Sequence, residues 1–318
     1  MEFPQGSVLG PLLFLLYIND LPNISNKLRF FLFADDTNIY YESKDLHDIE
    51  YTVNKELQKL HEWLSVNRLS LNISKTNFVI FHSNRIPINS NVTIMINKTA
   101  IEEVSSIKYL GFLIDSQLTF KDHIMALNKK LARSIGVLYK LRPYVSSKIL
   151  VNVYYAIMYP FLLYGITAWG NATNNLIEPI HLLQKVVVRM ITFNDNYLDL
   201  QYGYTHSSPL FHELKILKIY DIYKVQVGKF VYESINAIGP SQSIINYTMA
   251  SEIHHHNTRF ANHGGIYVNR FRTSRYGLRS LKNDGREIWN TIPPSIQSKP
   301  TKNSFRSSYK KLLVNQYI

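Results

Sequence analysis

The 318 residues are 46% hydrophobic and 18% charged, and 35 Lys+Arg against 23 Asp+Glu leave a formal net charge of +12. This balance excludes an intrinsically disordered chain, allows about two domains, and suits an acidic partner such as nucleic acid. With no cysteine, a disulfide framework, a Cys-ligated zinc knuckle and an iron–sulfur cluster are all excluded.

The first apolar run, Val8 to Ile18, follows a segment without Lys or Arg and precedes no small-residue cleavage site. It therefore does not read as a signal peptide. A helix is expected from about Pro11, ended by Asp20 before Leu21-Pro22. Leu28 to Ala34, aromatic on both faces, predicts a buried strand, and Asn38 to Tyr41 a second one. Asp35-Asp36 and Thr37 between them predict a tight hairpin turn. Ile49, Val53, Leu57, Leu60 and Leu64 then recur at helical spacing and predict an amphipathic helix over 45–67. Further strands are expected at Phe78–Phe81, Val92–Ile96 and Ile107–Ile114, the last with Gly111 at a bulge or close backbone approach.

From Lys121 the period becomes helical. Ile124, Leu127, Leu131, Ile135, Leu138 and Leu141 form one stripe before Pro143 stops the helix. Helices are also expected over 146–164, kinked or ended by Pro160, over 175–192 and over 209–236. Val151–Gly170 is apolar, but Asn152, Pro160 and four tyrosines interrupt it, so it reads as core and no membrane span is expected. Residues 251–318 hold 12 basic and only 3 acidic side chains, with Gly264-Gly265 and Pro293-Pro294. They read as a loop-rich basic segment. Within it Arg259, Arg270, Arg272, Arg275 and Arg279 alternate with Phe260, Tyr267, Phe271 and Tyr276, a pairing suited to single-stranded nucleic acid. His254-His255-His256 and His263 lack the spacing of a metal site. An α+β front followed by an α-helical middle is the fold class.

Asp35-Asp36 is the pair with chemical promise. Two adjacent carboxylates in a turn repel each other, and a divalent cation would offset that repulsion. On the pair alone a plain solvated turn is the better explanation, because aspartate is a favoured turn residue. Lys75 alone reads as an exposed lysine before a strand. Lys129, Lys130, Arg133, Lys140 and Arg142 either track a phosphate backbone or form a solvated helix face.

The flanking residues carry a resemblance. Pro4-Gln5-Gly6-Ser7-Val8-Leu9-Gly10-Pro11-Leu12-Leu13-Phe14, then Tyr17-Ile18-Asn19-Asp20-Leu21-Pro22 and Phe33-Ala34-Asp35-Asp36-Thr37 stand in order. Trp63-Leu64, Asn67, Leu71-Asn72-Ile73-Ser74-Lys75-Thr76 and Lys108-Tyr109-Leu110-Gly111 follow. Over about residues 3–115 this resembles motifs B to E of reverse transcriptases from non-LTR retrotransposons, the jockey-like kind in particular.

The resemblance implies a partial polymerase palm (antiparallel sheet with helices) over 1–115. A helical thumb-like or connecting region over 116–240 and the basic segment 241–318 would follow. It implies RNA-directed DNA polymerisation with Mg²⁺ (or Mn²⁺), an RNA template, a DNA primer and deoxynucleoside triphosphates, at an intracellular location, nucleus or cytoplasm. Asp35 would be the metal ligand, Asp36 a weaker partner, and Lys75 would face the triphosphate. Gln5, Gly6, Phe33 and Ala34 would contact nucleotide and template, and Tyr109, Leu110 and Gly111 would grip the primer. Motif A, which holds a further metal-binding aspartate in the family, has no counterpart before Gln5, where Glu2 is the only acid. The expectation is an N-terminally truncated fragment, inactive alone; the alternative is a non-catalytic nucleic-acid-binding relic.

Overall fold

Residues 7–83, 92–193, 206–239, 244–253, 264–267, 277 and 279–318 are described by the structure, a computed structural model. Gln5, Gly6, the four histidines at 254–256 and 263, and most of the C-terminal arginine–aromatic series lie outside the described residues. The chain divides into two units, Met1–Leu118 and Thr119–Ile318.

In the first unit, helix α1 (Gly10–Tyr17) and a single 3₁₀ turn (Leu21–Ile24) lead into strands β1 (Arg29–Phe33) and β2 (Asp36–Tyr40). Helix α2 (Leu46–Val66) follows, starting where the Asp45 side chain accepts from the His47 amide at 3.1 Å. Its apolar stripe packs Leu57 and Leu60 onto Leu21, Ile94, Ile96 and Ile101, with Phe30, Leu32, Ile39 and Trp63 around them. The remaining strands are short: β3 (Asn77–Phe78), β4 (Met95–Ile96), β5 (Thr99–Ala100), β6 (Glu102–Glu103), β7 (Ser106–Tyr109) and β8 (Phe112–Asp115).

Two expectations are corrected here. The palm's antiparallel sheet is present among the described residues as separate two-stranded pieces, β1–β2, β3–β6, β4–β5 and β7–β8. Of these, β3–β6 is parallel. The expected strand at 107–114 is instead the β7–β8 hairpin. Leu110 and Gly111 form its two-residue turn, with φ of 44° and 87°. Positive φ at both central positions is what a right-twisted hairpin needs, so Gly111 marks a reversal and no bulge.

The second unit is helical: α3 (Lys121–Leu141), α4 (Ser147–Ile157), α5 (Tyr159–Leu163), α6 (Ile166–Trp169), α7 (Asn174–Ile191), α8 (Ser208–Glu213), α9 (Ile219–Ile235), α10 (Ala250–Ile253), α11 (Leu281–Thr291), α12 (Pro294–Gln297) and α13 (Lys302–Asn315). α3 buries Ile124, Leu127, Leu131 and Leu138 as its spacing predicts, with Ser134 in the stripe where Ile135 was expected. The break between α4 and α5 falls at Met158, two residues before Pro160, which then sits in the first turn of α5 where its missing N–H leaves no helical bond unmade. α9 is buried on most sides, the pattern of a central helix, and α11 and α13 seat against it. Gly228 lets Tyr309 approach; a Cβ there would sit 3.1 Å from its ring.

The helix expected over 209–236 is interrupted between Leu214 and Lys218. Distant side chains capture the freed backbone. Buried Gln184 donates to the Leu217 carbonyl at 3.1 Å and accepts from the Ile219 amide at 2.7 Å, while the Lys218 amide donates to the Tyr317 hydroxyl at 3.0 Å. Residues 281–315, expected within a loop-rich segment, form three helices. Ser280 and Thr301 cap two of them, and Trp289, Phe305, Tyr309 and Leu313 are buried. Among the described residues no helix is long and apolar enough to cross a membrane.

Candidate active site

The β1–β2 hairpin is built by alternation. Phe30 pairs with Ile39 and Leu32 with Thr37, and this face turns Phe30, Leu32 and Ile39 toward the core of the first unit. Phe31, opposite Asn38, and Phe33, opposite Asp36, occupy the other face, where they are 55% and 59% exposed. Aromatic residues on both faces of Leu28–Ala34 predict a strand buried on both sides; here a single face is covered. At its base Tyr40 donates to Glu42 at 3.1 Å, and Arg29 lies 3.7 Å from the same carboxylate.

The turn itself differs from expectation by one residue. Ala34 and Asp35 make it, and Asp36 is the first residue of β2. Ala34 has φ of 51°, a left-handed conformation that costs a residue with a Cβ about 1–2 kcal/mol. Asp35 and Asp36 are both exposed, Asp36 sharing its face with the Phe31 and Phe33 rings.

Lys75 ends a 3₁₀ turn, Ile73–Lys75, two residues before β3, and its side chain is exposed. Asn72 organises the turn, accepting from the Lys75 amide at 3.1 Å and from Ser74 Oγ at 2.7 Å. A shallow hollow lined by Ser70, Leu71, Asn72, Ile73 and Ser74 lies beside it. Among the described residues Lys75 forms no ion pair with either aspartate. Tyr109, Leu110 and Gly111 stand together at the β7–β8 turn.

Asp35 and Asp36 offer hard oxygen donors on an open surface, the donor type Mg²⁺ takes, with positions left for water and phosphate oxygens. They fit such an ion as a partial ligand set. Among the described residues no three His, Asp or Glu side chains stand close enough to complete one.

The exposure of α1 and of Phe31 was not anticipated, whereas Phe33 was already named as a residue expected to contact nucleotide and template. α1 buries none of its residues, with Leu12, Leu15 and Leu16 at 56%, 49% and 65% exposure, and the outward face of β1 adds Phe31 and Phe33. All-round hydrophobicity in Gly10–Tyr17 was the available signal, since a one-sided surface helix would alternate. α1 is tied down by Tyr17, whose hydroxyl donates to the Asn67 carbonyl.

A sequence profile described as "Reverse transcriptase (RNA-dependent DNA polymerase)" matches residues 2–114. The chain is 30% identical over 225 residues to a probable RNA-directed DNA polymerase from transposon X-element of Drosophila melanogaster, covering 69% of this chain and 24% of that protein. It is 30% identical over 200 residues to the RNA-directed DNA polymerase from mobile element jockey of the same species, covering 59% and 21%. With the jockey polymerase of Drosophila funebris it shares 28% identity over 244 residues, 74% and 25% of the two chains. The chain thus spans about a quarter of the length of these curated relatives. No solved structure matches it significantly. With the profile match spanning the Asp35–Asp36 hairpin and the Lys75 turn, residues 2–114 belong to the reverse transcriptase (RNA-dependent DNA polymerase) family, and the chain is similar to the jockey-like polymerases of non-LTR retrotransposons.

Proposed function

We propose that residues 1–118 contribute the aspartate-bearing part of a two-metal nucleotidyl-transfer site that copies an RNA template onto a DNA primer inside the cell. The observation that carries this reading is the exposed Asp35–Asp36 pair at the tip of a hairpin within the matched segment. Bound Mg²⁺ or Mn²⁺ would supply Lewis acidity toward the primer 3′-hydroxyl and the incoming triphosphate. Asp35 would hold the metal, with Asp36 as the weaker partner. Lys75, on its exposed turn, would neutralise the departing pyrophosphate and hand it a proton. Phe33 and Ala34 on the hairpin, with Gln5 and Gly6, would meet the nascent base pair, and the Tyr109–Gly111 turn would hold the primer end. The helices of 116–240 would serve as thumb and connection.

Within 1–318, Glu2 and Asp20 are the acids that precede Asp35. As a separate polypeptide these residues therefore present a partial ligand set. Losing one carboxylate of a two-metal site costs several kcal/mol of transition-state stabilisation. The nucleic-acid-binding reading without turnover draws on the same fact.

Mn²⁺ binding followed by electron paramagnetic resonance tests the ligand assignment without requiring turnover. The wild-type chain should show weak Mn²⁺ binding that Asp35→Asn lowers at least several-fold and Asp36→Asn lowers less. Equal binding in wild type and Asp35→Asn would remove Asp35 from the site.

A further inference from the structure

Helix α13 carries Lys302, Arg306 and Lys310 four residues apart, so they stand in one file at intervals of about 6 Å along the axis. Phe305 and Tyr309 on the adjoining face are buried against α9 and α11, with Phe305 stacked 4.9 Å from Tyr232 and 5.7 Å from Trp289. That seating brings Lys229 of α9 into the same cluster. Burial first, then repulsion from Lys302, lowers the Lys229 pKa; burial first, with repulsion from Arg306, does the same for Lys310. The acid that meets the cluster is Glu233, ion-paired with Lys302; among the described residues no other carboxylate pairs with any of the four cations. Gathering like charges on one patch destabilises the fold by itself, and a bound polyanion reverses the sign of that energy.

The file continues into an aromatic edge. Lys310 Nζ donates to the Tyr155 hydroxyl at 3.3 Å and lies 5.4 Å from the centre of that ring, which meets Tyr159 edge-on at 5.2 Å.

We propose that this strip, from α13 across α4 and α5, binds the phosphodiester backbone of a single nucleic-acid strand. One file of cations matches one line of phosphates, where a duplex groove is bordered by two, and the half-buried Tyr155 and Tyr159 rings at its end give an unstacked base an aromatic edge to meet. The strip lies outside residues 2–114 and does not depend on nucleotidyl transfer at the aspartates.

Fluorescence anisotropy of a short labelled RNA strand against the whole chain, titrated over salt concentration, tests the assignment. The Lys229→Gln, Arg306→Gln, Lys310→Gln triple variant should bind at least about tenfold more weakly near 0.1 M salt. Its slope of log affinity against log salt should fall by about 2, at roughly 0.7 per phosphate contact. Arg306→Gln alone changes an exposed side chain, leaves the buried stripe intact and should lower the slope by about 0.7, which keeps the test valid if the triple variant folds poorly. Lys44→Gln, an exposed lysine of the other unit, should change neither quantity. Unchanged affinity and slope in Arg306→Gln, or tighter binding of the corresponding duplex than of the strand, would overturn the proposal.

Discussion

Asp35 and Asp36 are neighbours in sequence but hold different positions: one sits in a strained turn beside left-handed Ala34, the other opens β2 opposite Phe33. The sequence placed both in the bend, because aspartate in a turn and aspartate at a strand edge leave the same local trace. Side-chain alternation along Phe30–Phe33 settles the difference, since it fixes which residue of the second strand stands opposite Phe33. Lys75 was legible as exposed; its turn around Asn72 was not, because the bonds that make it are to the Asn72 backbone and side chain.

In the second unit one buried residue has a definite consequence for stability. His181 is 8% exposed, stacked on Phe211 at 5.8 Å and edge-on to Tyr220 at 5.4 Å, with Glu178, Gln184, Lys185 and Lys218 around it. Burial first, with repulsion from Lys185, lowers its pKa from 6.5 to about 4. Between those values the unfolded chain binds a proton that the folded chain refuses, so stability is complete above pH 6.5 and falls as the pH drops toward 4. The loss is about 2 kcal/mol once solvent screening at the ring edge is allowed for. Urea unfolding at pH 7.5 and 4.5 should show this pH dependence shrinking by that amount in His181→Gln. The same pH dependence in both proteins would show that the ring does not resist protonation.

Among the elements, long periodic helices were the most legible. α2 and α3 lie within a residue or so of their expected bounds because their stripes run for five or six repeats and their ends carry Asp45 and Pro143 as signals. Short strands were not, since two-residue ladders such as β3–β6 owe their existence to a partner distant in sequence. The break before α9 was hidden for a similar reason: Gln184 and Tyr317 hold it open, and neither is local. The C-terminal helices were obscured by composition. Arg, Ser and Asn outnumber the apolar residues there, although Phe305, Tyr309 and Leu313 already stood four apart after Thr301. Their place in the core gives a quantitative expectation. Phe305→Ala removes a fully buried ring stacked between Tyr232 and Trp289 and should destabilise the second unit by about 3–5 kcal/mol in urea unfolding. A loss below about 1 kcal/mol would mean that α13 does not belong to that core.

At the scale of the whole chain, charge is divided as sharply as structure. The first unit holds 10 Lys+Arg against 13 Asp+Glu, the second 25 against 10. The basic excess therefore lies outside the segment that matches the reverse transcriptase profile, in the helical unit where the α13 strip is found. The two proposed roles fall on either side of that division, the aspartate site in one unit and the backbone contact in the other. Family membership was readable because Phe33-Ala34-Asp35-Asp36 and its flanking motifs stand in order in the sequence; their chemistry awaits measurement. The most direct one replaces the corresponding segment of the Drosophila melanogaster jockey polymerase with residues 1–318 and follows primer extension on an RNA template with Mg²⁺. The chimera should extend the primer, residues 1–318 alone should not, and Asp35→Ala should reduce extension by the chimera at least about a hundredfold, close to 3 kcal/mol. A chimera that extends equally well with alanine at position 35 would contradict the account.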